Sequence, residues 1–139
     1  TDGTEQAEHF INAVGEDLSG RLIPAVEVRL RGLYRLLPPD YYEAADNLAD
    51  FCDRIEKQYG VRPVIYCTER TYKNIVASDS RFNKDKIWYE SLFSKPDEDM
   101  DWTFWTYTNR VKFSFYESGE YLHMTVFNGS EDDFKKLII

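Results

Sequence analysis

A helix-spaced apolar stripe runs directly into a short apolar strand, and that junction constrains the fold more than any other feature of the chain. Ala44, Ala45, Leu48, Phe51, Cys52 and Ile55 fall on one face of a helix that reaches about Tyr59. Asp40 and Glu43, just after the chain-breaking Pro38-Pro39, form a capping box at its start, and Gly60 ends it. Val61 to Cys67 then reads as a strand buried on both faces of a parallel sheet. A helix that returns the chain to a parallel strand is the repeating unit of an α/β fold.

The flanking segments extend this pattern. Thr4 is expected to cap a first helix carrying Ala7, Phe10, Ile11 and Val14, with Gly15 at its end. Leu22 to Leu30 is expected to be a strand, Thr68 to Ala77 a short helix, and Ile87 to Leu92 and Trp102 to Thr108 two further strands. The segments Val111 to Glu117 and Tyr121 to Phe127 alternate around Ser118-Gly119-Glu120, which predicts a β-hairpin. Asn128-Gly129 turns the chain into a last helix, capped by Ser130, whose apolar side is Phe134, Leu137 and Ile138.

Composition narrows the function classes. The chain has 139 residues, 42% of them hydrophobic and 16% aromatic, and is read as a single folded domain over 1–139. Its net charge of −8 argues against nucleic acid, whose binding needs clustered Lys and Arg. No apolar run approaches the roughly 20 residues of a membrane helix, so no membrane partner is expected. The opening Thr1-Asp2-Gly3-Thr4 carries no basic-then-apolar leader. Cys52 lies on the helical stripe and Cys67 at a strand end, so both are read as buried free thiols. Two His and two Cys without ligand spacing give no metal site, and nothing calls for a cofactor.

Several strings together resemble the muramidases of glycoside hydrolase family 25. They are Gln6-Ala7-Glu8-His9-Phe10, Pro24-Ala25-Val26-Glu27-Val28-Arg29, Asp46-Asn47-Leu48 through Tyr66, Trp102-Thr103-Phe104-Trp105-Thr106-Tyr107-Thr108, and Tyr121 to Gly129. The resemblance implies the second half of a TIM-like barrel. About four mostly parallel strands, a C-terminal hairpin and flanking helices are then expected, with the opening strands of the family barrel absent. It also implies a secreted or cell-wall-associated peptidoglycan-cleaving ancestor.

The polar positions depart from the family pattern. Glu27 stands where the family's Pro-x-(Leu/Val)-Asp-x-Glu strand end has its Asp, and Arg29 where it has its Glu. Glu90 stands where a basic or small residue is usual, Thr106 replaces a Gln, and His123 and Thr125 replace an Asp and an Asn. Glycoside hydrolysis needs one carboxyl to protonate the leaving oxygen and a second group across the sugar. A guanidinium cannot donate that proton, and beside a carboxylate it favours the ionised form, the wrong one for an acid catalyst.

Two readings stay open for each remaining candidate. Glu90 either supplies a second carboxyl beside Glu27 or forms an ion pair with Arg29, the simpler reading. His123 is either a general base or a solvent-facing strand residue. Tyr66, Trp88, Trp102, Trp105 and Tyr107 either stack on sugars or fill the interior, with packing favoured for most.

The expected function is therefore an inactive scaffold derived from a muramidase, redesigned or degenerate. The alternatives are a non-catalytic peptidoglycan-binding module, with Tyr66, Trp88, Glu90, Thr106 and His123 as its binding residues, and a residual hydrolase acting through Glu27. A half barrel also exposes two strand edges, which makes a second copy of the chain a candidate partner. Leu30, Leu33, Tyr34, Leu36 and Leu37, interleaved with Arg31 and Arg35, are a candidate cover for the open face.

Overall fold

The computed structural model describes residues 2–30, 39–115 and 119–139. Its centre is a five-stranded sheet in sequential order: β1 (Ala25–Glu27), β2 (Val64–Thr68), β3 (Ile87–Glu90), β4 (Phe104–Val111) and β5 (Leu122–Phe127). β1 to β4 run parallel and β5 is antiparallel to β4. The expected α/β partial barrel of about four mostly parallel strands with flanking helices is present, as an open five-stranded sheet.

The helices follow from their caps and stripes. α2 (Tyr41–Tyr59) starts at Asp40, whose side chain accepts from the backbone N–H of Tyr42 and Glu43, and stops at Gly60 with φ 74°, a conformation that favours glycine. Its stripe of Ala45, Leu48, Ala49 and Cys52 packs against Ile65 and Cys67 of β2 and Ile87 and Tyr89 of β3. Fully burying an aliphatic side chain of this size stabilises by about 1.5–3 kcal/mol, so this layer holds the fold together. α1 (Gly3–Val14) lies on α2 through Ala7, Ile11, Phe51 and Ile55. α4 (Glu131–Lys135) is closed by a reciprocal Ser130–Asp133 capping box.

Four expectations are corrected. α1 is capped by Asp2, not Thr4, because Gly3 sits inside the helix against α2, where a Cβ would come 1.8 Å from the Asn47 carbonyl oxygen. The strand expected over Leu22 to Leu30 is regular only from Ala25 to Glu27, the stretch that meets β2. The helix expected from Thr68 to Ala77 is one α-helical turn, α3 (Glu69–Thr71), that widens into a π-helical turn over Tyr72–Val76. Finally, the hairpin partner of β5 is Phe104–Val111, one continuous strand, while residues 112–115 leave the sheet. Two register shifts on that pair absorb the extra β4 residues, and Phe113 and Phe115 stack on each other instead of pairing, with ring centroids 5.1 Å apart. The Leu33–Leu37 cover, with Arg31 and Arg35, lies outside the described residues.

Candidate functional site

The sheet has a helix-covered face and an inner face, and strand alternation sorts the side chains between them. Ile65, Cys67, Ile87 and Tyr89 point to the helices. On the inner face, register aligns Glu27, Tyr66, Trp88, Phe104 and Phe127 in one row across all five strands. The next row toward the C-terminal strand ends holds Thr68, Glu90, Thr106 and Thr125. Phe134 of α4 packs edge-on against Phe104 and Phe127 and covers the far end of the first row.

Glu27, Arg29, Tyr66 and Glu90 meet in a cleft of about 220 Å³ at the C-terminal ends of β1 to β3, lined also by Val28, Leu30, Thr68, Arg70 and Thr71. Arg29 donates to Glu27 Oε1 from Nε at 3.0 Å and from Nη2 at 2.6 Å. These bonds raise the guanidinium pKa above its usual value and hold it charged. Glu90 accepts from the Tyr66 hydroxyl. Burial, and then that bond to the Glu90 carboxylate, push the Tyr66 phenol up, so it stays protonated. The expected Arg29–Glu90 ion pair is thus replaced by an Arg29–Glu27 ion pair and a Tyr66–Glu90 hydrogen bond, because Glu27 is two residues from Arg29 along the chain while Tyr66 reaches Glu90 from the neighbouring strand.

Further along the face, the Trp88 indole N–H donates to Thr106 Oγ1 at 2.9 Å, and Thr106 Oγ1 shares a 2.7 Å hydrogen bond with Thr125 Oγ1. Trp88 lies edge-on to Tyr66, centroids 5.1 Å apart, and tilted on Phe104 at 5.2 Å. These rings pack on one another and remain half-buried. Trp102 and Trp105 pair with each other, while Tyr107 is 40% exposed. His123 lies exposed on β5, outside the cleft lining.

Sequence reasoning missed Thr68, Arg70 and Thr71. Thr68 was readable, since it follows Tyr66 at the same-face interval on β2. Arg70 and Thr71 come from the turn after the strand, and no spacing announces them. Among the described residues no group of three His, Cys, Asp or Glu side chains is arranged to hold a metal ion, and no helix is long and apolar enough to cross a membrane.

The family model for glycosyl hydrolases family 25 matches residues 1–114. Among solved structures, a family 25 glycosyl hydrolase from Bacillus anthracis superposes with a TM-score of 0.82 at 28% identity, covering 100% of this chain and 64% of that one. A bacterial lysozyme from Streptomyces coelicolor gives 0.74 at 23% identity over 99% and 66%, and a GH25 lysozyme from Aspergillus fumigatus gives 0.74 at 18% over 99% and 67%. The chain thus spans just under two thirds of the length of the Bacillus relative. No curated protein matches.

Proposed function

The chain belongs to glycosyl hydrolases family 25, and from that premise we propose that this segment is a family scaffold whose inner face has been rebuilt and no longer cleaves glycosidic bonds. The observation that carries the reading is the Glu27–Arg29 pair, 2.6 Å apart at the strand end where the resemblance puts the family's two acids. One of those positions holds a cation that cannot donate a proton. The other holds a carboxylate bonded to that cation. Glu90 is engaged by Tyr66, so it does not stand free as a surrogate. Losing a general acid removes a factor on the order of 10²–10⁴ in rate.

A non-catalytic glycan-binding module is the second reading, favoured by Tyr66 and Trp88, two half-buried rings side by side on the inner face. Incubating the folded chain with insoluble peptidoglycan separates the two. The scaffold reading expects neither soluble fragments nor retention on the pellet. Retention that Trp88→Ala abolishes would favour the binding module. Soluble fragments above background would contradict both.

A further inference from the structure

The turn between β5 and α4 is made by Asn128-Gly129, and packing requires both residues. The Asn128 N–H donates to the Thr103 carbonyl at 2.9 Å, and its Nδ2 donates to the Trp102 carbonyl at 3.0 Å. These bonds tie the end of β5 to the segment that leads into β4. A Cβ on Gly129 would come 2.9 Å from the Phe127 ring and 3.1 Å from the Asp133 Cβ. Phe134 rests on Phe127 and Phe104 just beyond, so a bare backbone is needed where α4 folds back.

The pair that packing selects is also chemically labile. Asparagine is a thermolabile residue because its amide carbon is open to attack. A following glycine, without a Cβ, lets its backbone nitrogen come closest to that carbon. Asn128-Gly129 is the chain's one Asn-Gly step, and the other five asparagines precede Ala, Leu, Ile, Lys or Arg. Both residues of the step are exposed. The Gly129 N–H makes no hydrogen bond among the described residues.

Asp2-Gly3 can reach the same cyclic intermediate, but its groups are held. The Gly3 N–H donates to Asn47 Oδ1 at 3.1 Å, and Asp2 Oδ1 accepts from the Glu5 N–H at 2.8 Å as the cap of α1. The two steps thus differ in whether the attacking nitrogen is free.

We propose that Asn128 is a site of spontaneous deamidation in the folded chain. The Gly129 nitrogen gives its proton to solvent hydroxide and bonds to Asn128 Cγ. The Cγ–Nδ2 bond breaks, ammonia leaves with a proton from water, and a succinimide ring is closed. Water then opens the ring. Attack at Cγ gives an aspartyl residue, and attack at the main-chain carbonyl gives an isoaspartyl residue whose backbone is one carbon longer. Nothing is oxidised or reduced, and water is the only co-reactant. Either product puts a carboxylate where Nδ2 donated. A carboxylate only accepts, so the bond to the Trp102 carbonyl is lost. The longer backbone also shifts α4 against Phe104 and Phe127.

The test holds the folded 1–139 chain warm in mildly alkaline buffer, with circular dichroism showing that it stays folded. Peptide mapping by mass spectrometry, ammonia release and labelling by an isoaspartyl-specific methyltransferase are then read. Replacement of −NH2 by −OH is expected only in the peptide containing Asn128, with ammonia released in equal amount and methyl label in the same peptide. All three signals should vanish in Asn128→Gln, whose side chain must close a larger ring. The more acidic fraction, separated by ion exchange, should unfold at a lower temperature than the unmodified chain. An unchanged folded chain would overturn the proposal. So would modification at another asparagine, methyl label at Asp2 alone, or modification that appears only in the urea-unfolded chain.

Discussion

Arg29, just beyond the end of β1, turns back to hold Glu27, Nη2 to Oε1 2.6 Å, and leaves Glu90 to the Tyr66 hydroxyl. All four side chains line one cleft, so its polar groups are paired within it. The pair is open to water, with side-chain exposures of 64% and 44%, and such pairs add little to folding. Arg29→Ala should leave the thermal midpoint unchanged within error. A clear loss of midpoint would mean that the guanidinium supports the cleft in another way.

Arg62 behaves differently. It bonds Asp85 twice, at 2.5 and 3.0 Å, and the Asp85 side chain is 1% exposed. Asp53 and Glu56 of α2 complete the cluster, tying the helix to the turn before β3. Asp85→Ala removes the buried partner and leaves the guanidinium only its two exposed ones. Denaturant titration should give a loss of about 2 kcal/mol, below the full cost of breaking a buried pair because those partners remain.

Gly3 marks the closest approach of α1 to α2. Its N–H donates to Asn47 Oδ1 at 3.1 Å, and a Cβ there would meet the Asn47 carbonyl oxygen at 1.8 Å. Elsewhere in a helix Gly→Ala stabilises by up to about 1 kcal/mol. Here Gly3→Ala should destabilise by about 1–3 kcal/mol, as overpacking does, with the loss read as a lower denaturant midpoint.

The two cysteines supply a pH dependence. Burial pushes the Cys52 and Cys67 thiols up to about 12, and both are free. Below the ordinary thiol value of about 8.5 both folded and unfolded chains keep these protons, so pH changes nothing through them. Above it, up to about 12, the unfolded chain releases protons that the folded chain retains, so stability falls as pH rises. Unfolding free energy measured from pH 8 upward should therefore decline, less steeply in Cys52→Ala. Thiol reagents at pH 8 should label the native chain only as it unfolds globally.

Local signals read well from the sequence where a single residue decides the geometry. Gly60 ends one helix and Ser130 caps the start of another, as their chemistry requires. The βα register of α2 and β2 followed from an unbroken apolar pattern. The hairpin did not, because the alternation at Phe113 and Phe115 is a strand signature that the two rings satisfy by stacking outside the sheet. At the cleft, the face shared by Glu27 and Arg29 was legible from spacing, but the choice of Glu27 over Glu90 was not. It depends on Tyr66, whose hydroxyl reaches Glu90 from the neighbouring strand, a relation between strands that local spacing does not carry.

The most direct test of the central claim is release of reducing ends from purified peptidoglycan by the folded chain, with circular dichroism run on the same sample. The account expects release no greater than that from the buffer, and no difference between the chain and Glu27→Gln. Release above background that disappears in Glu27→Gln would contradict it. A working acid would then exist on the inner face despite Arg29, and the paired-cleft account of this scaffold would be wrong.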